Sequence, residues 1–585
     1  MDFKALASSP VCLQKAGRRQ SLGCSVRPQG GLISFPGKPK DGKQKTGFCG
    51  LKEETLEKEH ACFPGKPCTI KPECANWEKV RALFYGKEGT AMEDMQKKAH
   101  FRNKTPLFDE VCAKLQKNSD FRVRPILIGQ RFQGAFVFLD GMINSGQLSE
   151  LVMRSLVEHR FEEDATVEDL YAYVDSGGIY CPDQKKQTEA DVIIKQMLTG
   201  SAALFFDGAA EAYTFEIKST FVRSVSEPTN ENITKGGKDA FVERWLINTA
   251  LVRSRLHSPD IVVEAVTVGR QSNTNIAVVY LQNTANPDLV QKAKDCLAGM
   301  EVDSIASLGI VEEALCGDDN SIFPQVTNTE RPDSFCADIN EGYIGIIIDG
   351  FPFALLVPGS ILQQMQAPED YARHPVFASA IRVLRFLLMG VTLLLPGFYV
   401  SVLSFHQEML PSRLVQSIMN ARLEVPFDEL IEMVVMLVAF EVLIEAGLRM
   451  PKNIGQAVSI VGALIVGEAA VSAKLISPAV VIVVAITAIA SFTLPSQDLS
   501  NAVRVWRFVL LLFSGVLGLV GLVLGAILLT LRICSLEVLG VPYMAPLIGG
   551  HTKTKDSYFR RPFLQDQKRP EFLGNQNKTR RRTKG

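Results

Sequence analysis

The chain lacks the compact signatures of the common catalytic classes. No GxxxxGK(S/T) loop, HExxH pair, GxSxG elbow or CxxC pair occurs in its 585 residues, so phosphate-loop, zinc-peptidase, serine-hydrolase and dithiol chemistry have no foothold. Histidine is scarce at seven residues and tryptophan at three. Net charge is zero, which removes an overall basic field for nucleic acid. Long apolar runs are missing from the first 380 residues, which read as an ordinary water-soluble protein. The chain is therefore not read as an enzyme, and no cofactor or metal site is expected.

The cysteines that are present do not suggest a metal site either. Six of the twelve (Cys12, Cys24, Cys49, Cys62, Cys68, Cys74) fall in the first 74 residues, but the spacing Cys62-x5-Cys68-x5-Cys74 is not that of zinc ligands. Reduced thiols in a disordered, basic Gly/Pro-rich arm over residues 1–100 are the preferred reading. Charge is segregated along the chain. Residues 1–50 hold nine Lys/Arg against two Asp, and residues 551–585 hold eleven against three acids. Positive flanks stay on the cytoplasmic side during membrane insertion, so both ends are expected to be cytoplasmic, and no hydrophobic signal sequence argues otherwise. The terminal RRRTK run reads as a tail against anionic lipid rather than nucleic acid.

Two α/β subdomains are expected between the arm and the apolar region, at 104–225 and 226–380. In the first, β-rich runs at 125–128 and 135–139 flank a glycine turn, the helical pattern Leu148–Val157 follows, and Ala202–Lys218 reads as strand–turn–strand about Asp207–Gly208. In the second, the helix Ala240–Arg255 precedes strands at Ile261–Val268 and Asn275–Leu281, a helix from Pro287 to Leu297, and strands Tyr343–Asp349 and Phe353–Val357. The fold class expected is multi-domain: a layered α/β N-terminal region, then an all-α polytopic membrane domain over 381–550 and a basic tail over 551–585.

Uncharged stretches run Phe386–Phe405, Asn453–Gly467, Leu475–Gln497 and Phe508–Leu531. Crossing a hydrocarbon core takes about 20 apolar residues, so three are long enough outright. Leu414–Arg422 resembles a short interfacial amphipathic helix. Glu429–Leu448 is helical in pattern but carries Glu429, Glu432, Glu441 and Glu445. Carboxylates are costly in hydrocarbon, and four clear crossings already satisfy parity, so this segment is expected at the interface or re-entrant. Glu441, Glu445 and Arg449 are expected to form a polar network within the membrane domain. His406 and Glu408, in FHQE, read as an interfacial polar pair.

Ile454–Lys474 is studded with small residues. Val458, Gly462, Ile465, Ala469 and Ser472 fall on one helical stripe bounded by Glu468 and Lys474. Such a stripe serves either a tight helix–helix seam or a narrow pore wall, and spacing alone favours the seam.

Several longer motifs resemble the A subunit of bacterial spore germinant receptors, the GerA family. They are VRSVSEPTNENITKGGKDAFVERWLINTALVRSRL (Val222–Leu256), FPQVTNTERPD (Phe323–Asp333), EGYIGIIIDGFPFALLVP (Glu341–Pro358), LPGFYVSVLSFHQEMLPSRL (Leu395–Leu414), EVLIEAGLRMP (Glu441–Pro451) and IGQAVSIVGALIVGEAAV (Ile454–Val471). The resemblance covers roughly residues 105–550. It implies a protein of the spore inner membrane, assembled as a homo-oligomer, a pentamer, around a cation pore. It also implies a transporter-like B subunit that senses nutrient and a lipoprotein C subunit. On that basis the stripe becomes pore-lining, and Glu468 with Lys474 becomes pore-mouth charge. Glu468 departs from the neutral amide common in similar proteins. The EPTNE run (Glu227–Glu231) and the TERPD run (Thr329–Asp333) read as structural. The alternatives are an accessory channel of the same family and, further off, a secondary transporter, for which no internal repeat with broken helices is evident.

Overall fold

The structure, a computed structural model, describes residues 105–219, 228, 231, 233, 235–317, 321–450, 467–545, 547, 556–562, 565 and 567–580. The cysteine-rich arm lies outside them.

The first subdomain begins with helix α1 (Pro106–Leu115), which starts on proline and is capped by the Thr105 hydroxyl. Strands β1 (Phe121–Ile128) and β2 (Phe132–Leu139) form a hairpin. Ser145–Gln147, the π-wound Leu148–Met153 and Arg154–Glu158 run on as α2, followed by α3 (Val167–Asp175). Then come β3 (Gln184–Gln187), α4 (Ala190–Met197), β4 (Ser201–Phe206) and β5 (Ala212–Glu216). The sheet has the order β1-β2-β4-β5-β3, every neighbour antiparallel. Alternate residues of β2 serve opposite faces. Phe136 and Phe138 pack with α2 and α3, while Ala135, Val137 and Leu139 pack with α1 and α4. With both faces covered, the central strands read as continuous apolar runs.

The second subdomain repeats this topology. It comprises α5 (Trp245–Arg255), β6 (Ile261–Val268), β7 (Thr274–Leu281), α6 (Pro287–Ala298), α7 (Leu308–Leu315), β8 (Thr327–Thr329), α8 (Pro332–Glu341), β9 (Ile344–Ile348) and β10 (Ala354–Val357). Its sheet order, β6-β7-β9-β10-β8, is the first order translated along the chain. The expected strands at Ile261–Val268 and Pro287 helix start are found as expected, but the duplication was not read because only strand order in space reveals it. The two sheets meet through a buried loop. Ser119 N donates to Val263 O (2.7 Å), and Asn118 Oδ1 accepts from Val263 N (2.9 Å), so the loop before β1 pairs with the edge of β6.

Beyond α9 (Ile361–Met365) and α10 (Pro368–Ala372), α11 (Pro375–Phe405) opens the helical region. The short α12 (Ser412–Arg422) follows, where an amphipathic helix was expected, then α13 (Glu429–Arg449), α14 (Pro478–Ser491) and α15 (Gln497–Ser535). A two-stranded turn, β11 (Glu537–Val538) and β12 (Val541–Pro542), ends the bundle.

One expectation changes here. Phe508–Leu531 was read as a single crossing, yet the chain reverses inside it at Gly518, whose φ of 60° and ψ of −143° are non-helical. A Cβ on Gly525 would lie 2.7 Å from Leu510 Cδ2. On a straight helix those two positions would be roughly 22 Å apart. Hence α15 is a hairpin, with arms 497–517 and 519–535. Only a residue without Cβ holds this backbone comfortably. Gly397 of α11 packs against the hairpin between Ser514 and Leu522, and Ser514 Oγ donates to Gly397 O at 2.6 Å.

The first arm of α15 and the β11–β12 turn also complete the core of the second subdomain. Leu499, Val503, Leu510, Val538 and Tyr543 belong to the same apolar cluster as Ile276, Val278 and Ile346. The second subdomain and the bundle therefore share one core rather than being joined by a linker.

Candidate functional site

The bundle has two ends. At the proximal end it meets the second subdomain: Trp506 stacks on Phe323 with centroids 6.4 Å apart, Asn328 Nδ2 donates to Asp498 (3.1 Å), and Lys292 Nζ donates to Leu539 O (2.9 Å). At the distal end, Phe405 and His406 lie over Gly518. His406 Nδ1 is 3.4 Å from Ser401 O, and Glu408 sits on the following 3-10 turn.

α13, expected at the interface or re-entrant, runs along the bundle. It starts distally, where Ser404 donates to Glu429 and Leu430 fills the space beside Gly515. It then runs proximally, reaching Arg507 at Glu441. At 21 residues its length is roughly 31 Å. The expected network of Glu441, Glu445 and Arg449 splits in two. Glu445 pairs with Arg449 one turn on (2.6 Å), whereas Glu441 turns inward to Arg507 (2.5 Å) and Arg504 (3.6 Å) on α15. Four-residue spacing on one helix brings Glu445 to Arg449, whereas local spacing carries no information about a partner 66 residues away.

A distal polar junction was missed by the sequence reading altogether. Arg422, the last residue of α12, ion-pairs with both Glu429 and Glu432 of α13. Glu432 is fully buried, and its second oxygen accepts from Ser477 N (2.9 Å), just before α14. Three segments are thus tied to one carboxylate, which offsets the cost of burying it. The signal was in the sequence as an arginine closing an amphipathic helix shortly before two glutamates.

Of the expected pore stripe, Val458, Gly462 and Ile465 lie outside the described residues. Ala469 and Ser472 lie on the helical stretch 467–472, and both are exposed, as is Glu468. Lys474 stands at a φ of 57° and pairs with Glu424 (2.5 Å).

Of the terminal RRRTK run expected against anionic lipid, residues 581–584 lie outside the described residues, and Arg580 pairs with Glu341 (2.6 Å). Upstream in the tail, Arg560 donates to the carbonyls of Asp370, Tyr371 and Arg373, and Arg569 to Asn340 O (2.6 Å). Leu573 is buried in the second subdomain's core. Asp556 joins Asp370 in neutralising Arg382 at the start of α11. The EPTNE and TERPD runs meet: Thr329 Oγ1 donates to Glu231 (2.8 Å), and Arg331 donates to Glu231 O (3.2 Å). Burial pushes the Glu231 carboxyl up to about 7, with neighbouring Glu330 adding to the rise against the Thr329 bond. Burial likewise pushes Asp338 up to about 7, while Gln363 Nε2, donating at 2.9 Å, opposes it. Among the described residues no cluster of His, Cys, Asp or Glu is arranged to hold a metal.

The family model described as Bacillus/Clostridium GerA spore germination protein matches residues 109–572. The chain belongs to the GerA family. Among its relatives, Spore germination protein KA of Bacillus subtilis (strain 168) is 35% identical over 476 residues, covering 80% of this chain and 87% of that protein. Spore germination protein GerLA of Bacillus cereus is 32% identical over 475 residues, covering 80% and 95%. The Bacillus subtilis membrane protein YfkQ is 34% identical over 454 residues, covering 77% and 88%. The N-terminal domain of the A subunit of the Bacillus megaterium spore germinant receptor GerK3 aligns at 25% identity with a TM-score of 0.33, covering 43% of this chain and 92% of that one. This GerA-family chain is thus a spore germination protein of the germinant-receptor A-subunit type, and not an enzyme.

Proposed function

We propose that this GerA-family protein is the membrane-spanning, channel-forming A subunit of a nutrient-gated germinant receptor. The observation that carries the reading is the apolar outer surface of the bundle. Large apolar residues face outward along α15 (Leu512, Val516, Val520, Val523, Ile527, Leu531), and comparable residues of α11, α13 and α14 are exposed with them. Inside, Thr392, Ser401, Thr487, Ser491, Arg507 and Ser514 are buried. Water-soluble proteins rarely expose apolar surface on this scale, whereas hydrocarbon favours it. Among the described residues α11 is a single helix long and apolar enough to cross a bilayer, and α15 carries a comparable apolar length folded into its two arms.

In this reading the proximal end is cytoplasmic and the subdomains sit against the inner face of the spore membrane. α11 rises, α13 descends, α14 descends, and the arms of α15 rise and return, so both flanks of the bundle end on one side. The glycine-rich stripe Val458, Gly462, Ile465, Ala469 and Ser472 lines the pore of a pentamer. Glu468, for which no ion pair is found among the described residues, adds negative charge at its mouth and concentrates cations. A transporter-like B subunit supplies nutrient sensing and a lipoprotein C subunit completes the receptor. The shared core at Trp506 and Leu499 transmits displacement of the second subdomain directly to α15.

The test is monovalent-cation flux from vesicles containing the full chain, with and without its B partner, for the parent and for Ile465→Ala. The parent should conduct only with partner and nutrient, and Ile465→Ala should leak without nutrient. Unchanged flux in Ile465→Ala, together with unchanged flux after substitution of Gly462 and Ser472, would refute the pore assignment.

A further inference from the structure

The outward face of α11 is apolar from its first turn to its last. Val376, Leu384, Leu387, Leu394, Phe398 and Phe405 recur at helical spacing along one side, and all are exposed. The arginines that would interrupt this face turn away from it. Arg382 pairs with Asp370 (3.1 Å) and Asp556 (2.7 Å), and Arg385 pairs with Asp370 (2.7 Å). The apolar face therefore continues from Phe386, where the uncharged run begins, back to Val376.

The tail widens the proximal end of this face. Tyr558 packs against Phe386 with centroids 4.7 Å apart, and Arg560 N donates to Ser379 Oγ (2.9 Å). Residues 558–560 thus lie alongside the first turns of α11. Phe559 is 66% exposed, and Val376 and Phe377 are 72% and 53% exposed. Arg373 is matched by Glu369 (2.6 Å). Arg560 spends its donors on backbone carbonyls, and Arg561 is exposed; neither has a carboxylate partner among the described residues. The patch is aromatic and carries uncancelled positive charge.

Depth selects the partner. The 31 residues of α11 span roughly 46 Å, against about 30 Å of hydrocarbon and about 40–45 Å with the headgroups. With Phe386–Phe405 in the hydrocarbon, the turns before Phe386 fall in the cytoplasmic headgroup layer. Aromatic rings and basic side chains are what that layer favours.

We propose that the first turns of α11 and the tail residues Tyr558–Arg561 form one anchor seated among anionic phospholipids of the cytoplasmic leaflet. Phe377 and Phe559 dip toward the acyl chains, Arg561 meets phosphate, and the charge of Arg560 lies behind it. Further along the same tail, Leu573 is buried in the core of the second subdomain, and Arg569 and Arg580 hold the end of α8. The anchor therefore clamps that subdomain to the membrane face. This proposal rests on the reading of the bundle as membrane-embedded.

The test places a single tryptophan in the full chain, its three native tryptophans replaced by phenylalanine. The vesicles are phosphatidylcholine with equal fractions of brominated phosphatidylglycerol or brominated phosphatidylcholine. Phe559→Trp should be quenched most by bromine near the headgroup end of the acyl chain. Leu394→Trp, midway along the hydrocarbon part of the same face, should be quenched most by bromine near the methyl end. Brominated phosphatidylglycerol should quench Phe559→Trp more than brominated phosphatidylcholine does. Arg561→Gln should cut that preference about fivefold, one guanidinium being worth about that factor at a lipid surface. Equal quenching by the two lipids, or an unchanged preference in Arg561→Gln, overturns the anionic partner. Quenching of Leu394→Trp without quenching of Phe559→Trp overturns the anchor. If Phe377→Cys in an otherwise cysteine-free chain then cross-links to another chain, the patch belongs to a second copy. Leu394→Trp left unquenched by either lipid would instead refute the membrane reading itself.

Discussion

Replacing Arg253 by alanine should loosen the joint between the two α/β subdomains more than any surface substitution. Arg253 of α5 and Asp120, just before β1, are both wholly buried. Arg253 Nε donates to Asp120 Oδ2 at 2.7 Å, and Nη2 donates to Asp120 Oδ1 at 2.9 Å and Asn118 Oδ1 at 2.8 Å. The alanine variant leaves the Asp120 carboxylate in the interior with no counter-ion. Breaking a buried pair from one side costs about 3–5 kcal/mol. For a unit of this size that corresponds to a fall in the melting midpoint of roughly 6–20 °C. Asn118 keeps its bond to Val263 N, so the β6 edge contact survives and the loss belongs to the charge. The measurement is thermal unfolding of the detergent-solubilised full chain, followed by fluorescence of Trp245 in a background where it is the one remaining tryptophan. Asp120→Leu with Arg253→Leu should recover most of the loss, because both charges then leave together. A midpoint within about 1 °C of the parent for Arg253→Ala would refute the reasoning.

Two further outcomes are expected elsewhere in the fold. Asp338 has its carboxyl raised to about 7 by burial, with Glu341 and Glu231 adding to the rise. Below its ordinary value both states are protonated; between about 4 and 7 the folded state holds the extra proton, so stability falls as pH rises through that window. Asp338→Asn should flatten this segment of the stability–pH curve in melts from pH 4 to 8, and an unchanged slope would contradict the assignment. Gly518→Ala places a Cβ 3.0 Å from Phe405 and an L-residue in a backbone region suited to glycine, costing about 1–3 kcal/mol. It should lower the melting midpoint, while Leu510→Cys with Gly525→Cys in an otherwise cysteine-free chain should cross-link within the chain. No intramolecular cross-link would mean that α15 is straight.

Much of the soluble half was legible because it is local. Strands such as Ile261–Val268 announce themselves as β-branched runs, and Asn286 before Pro287 marks a helix start. The short polar strands were not legible: Gln184–Gln187 and Thr327–Thr329 carry no apolar pattern and exist because β5 and β10 offer them an edge. In the candidate site, Glu441, Glu445 and Arg449 were read as one network, and Glu441's partners on α15 were not legible. Nor was the Arg422–Glu432–Ser477 junction, whose members meet only after α12, α13 and α14 pack.

The sequence by itself determined the family, the division into water-facing and lipid-suited composition, and most of the strands, since each depends on neighbouring residues along the chain. Tertiary structure decided that Phe508–Leu531 is a hairpin, that α13 runs the length of the bundle, and that the basic tail binds the second subdomain. It also decided that the subdomain and bundle share one core. Those outcomes depend on a single glycine's backbone angles and on which buried charges find counter-ions across long separations. Hydrophobic periodicity is silent on both.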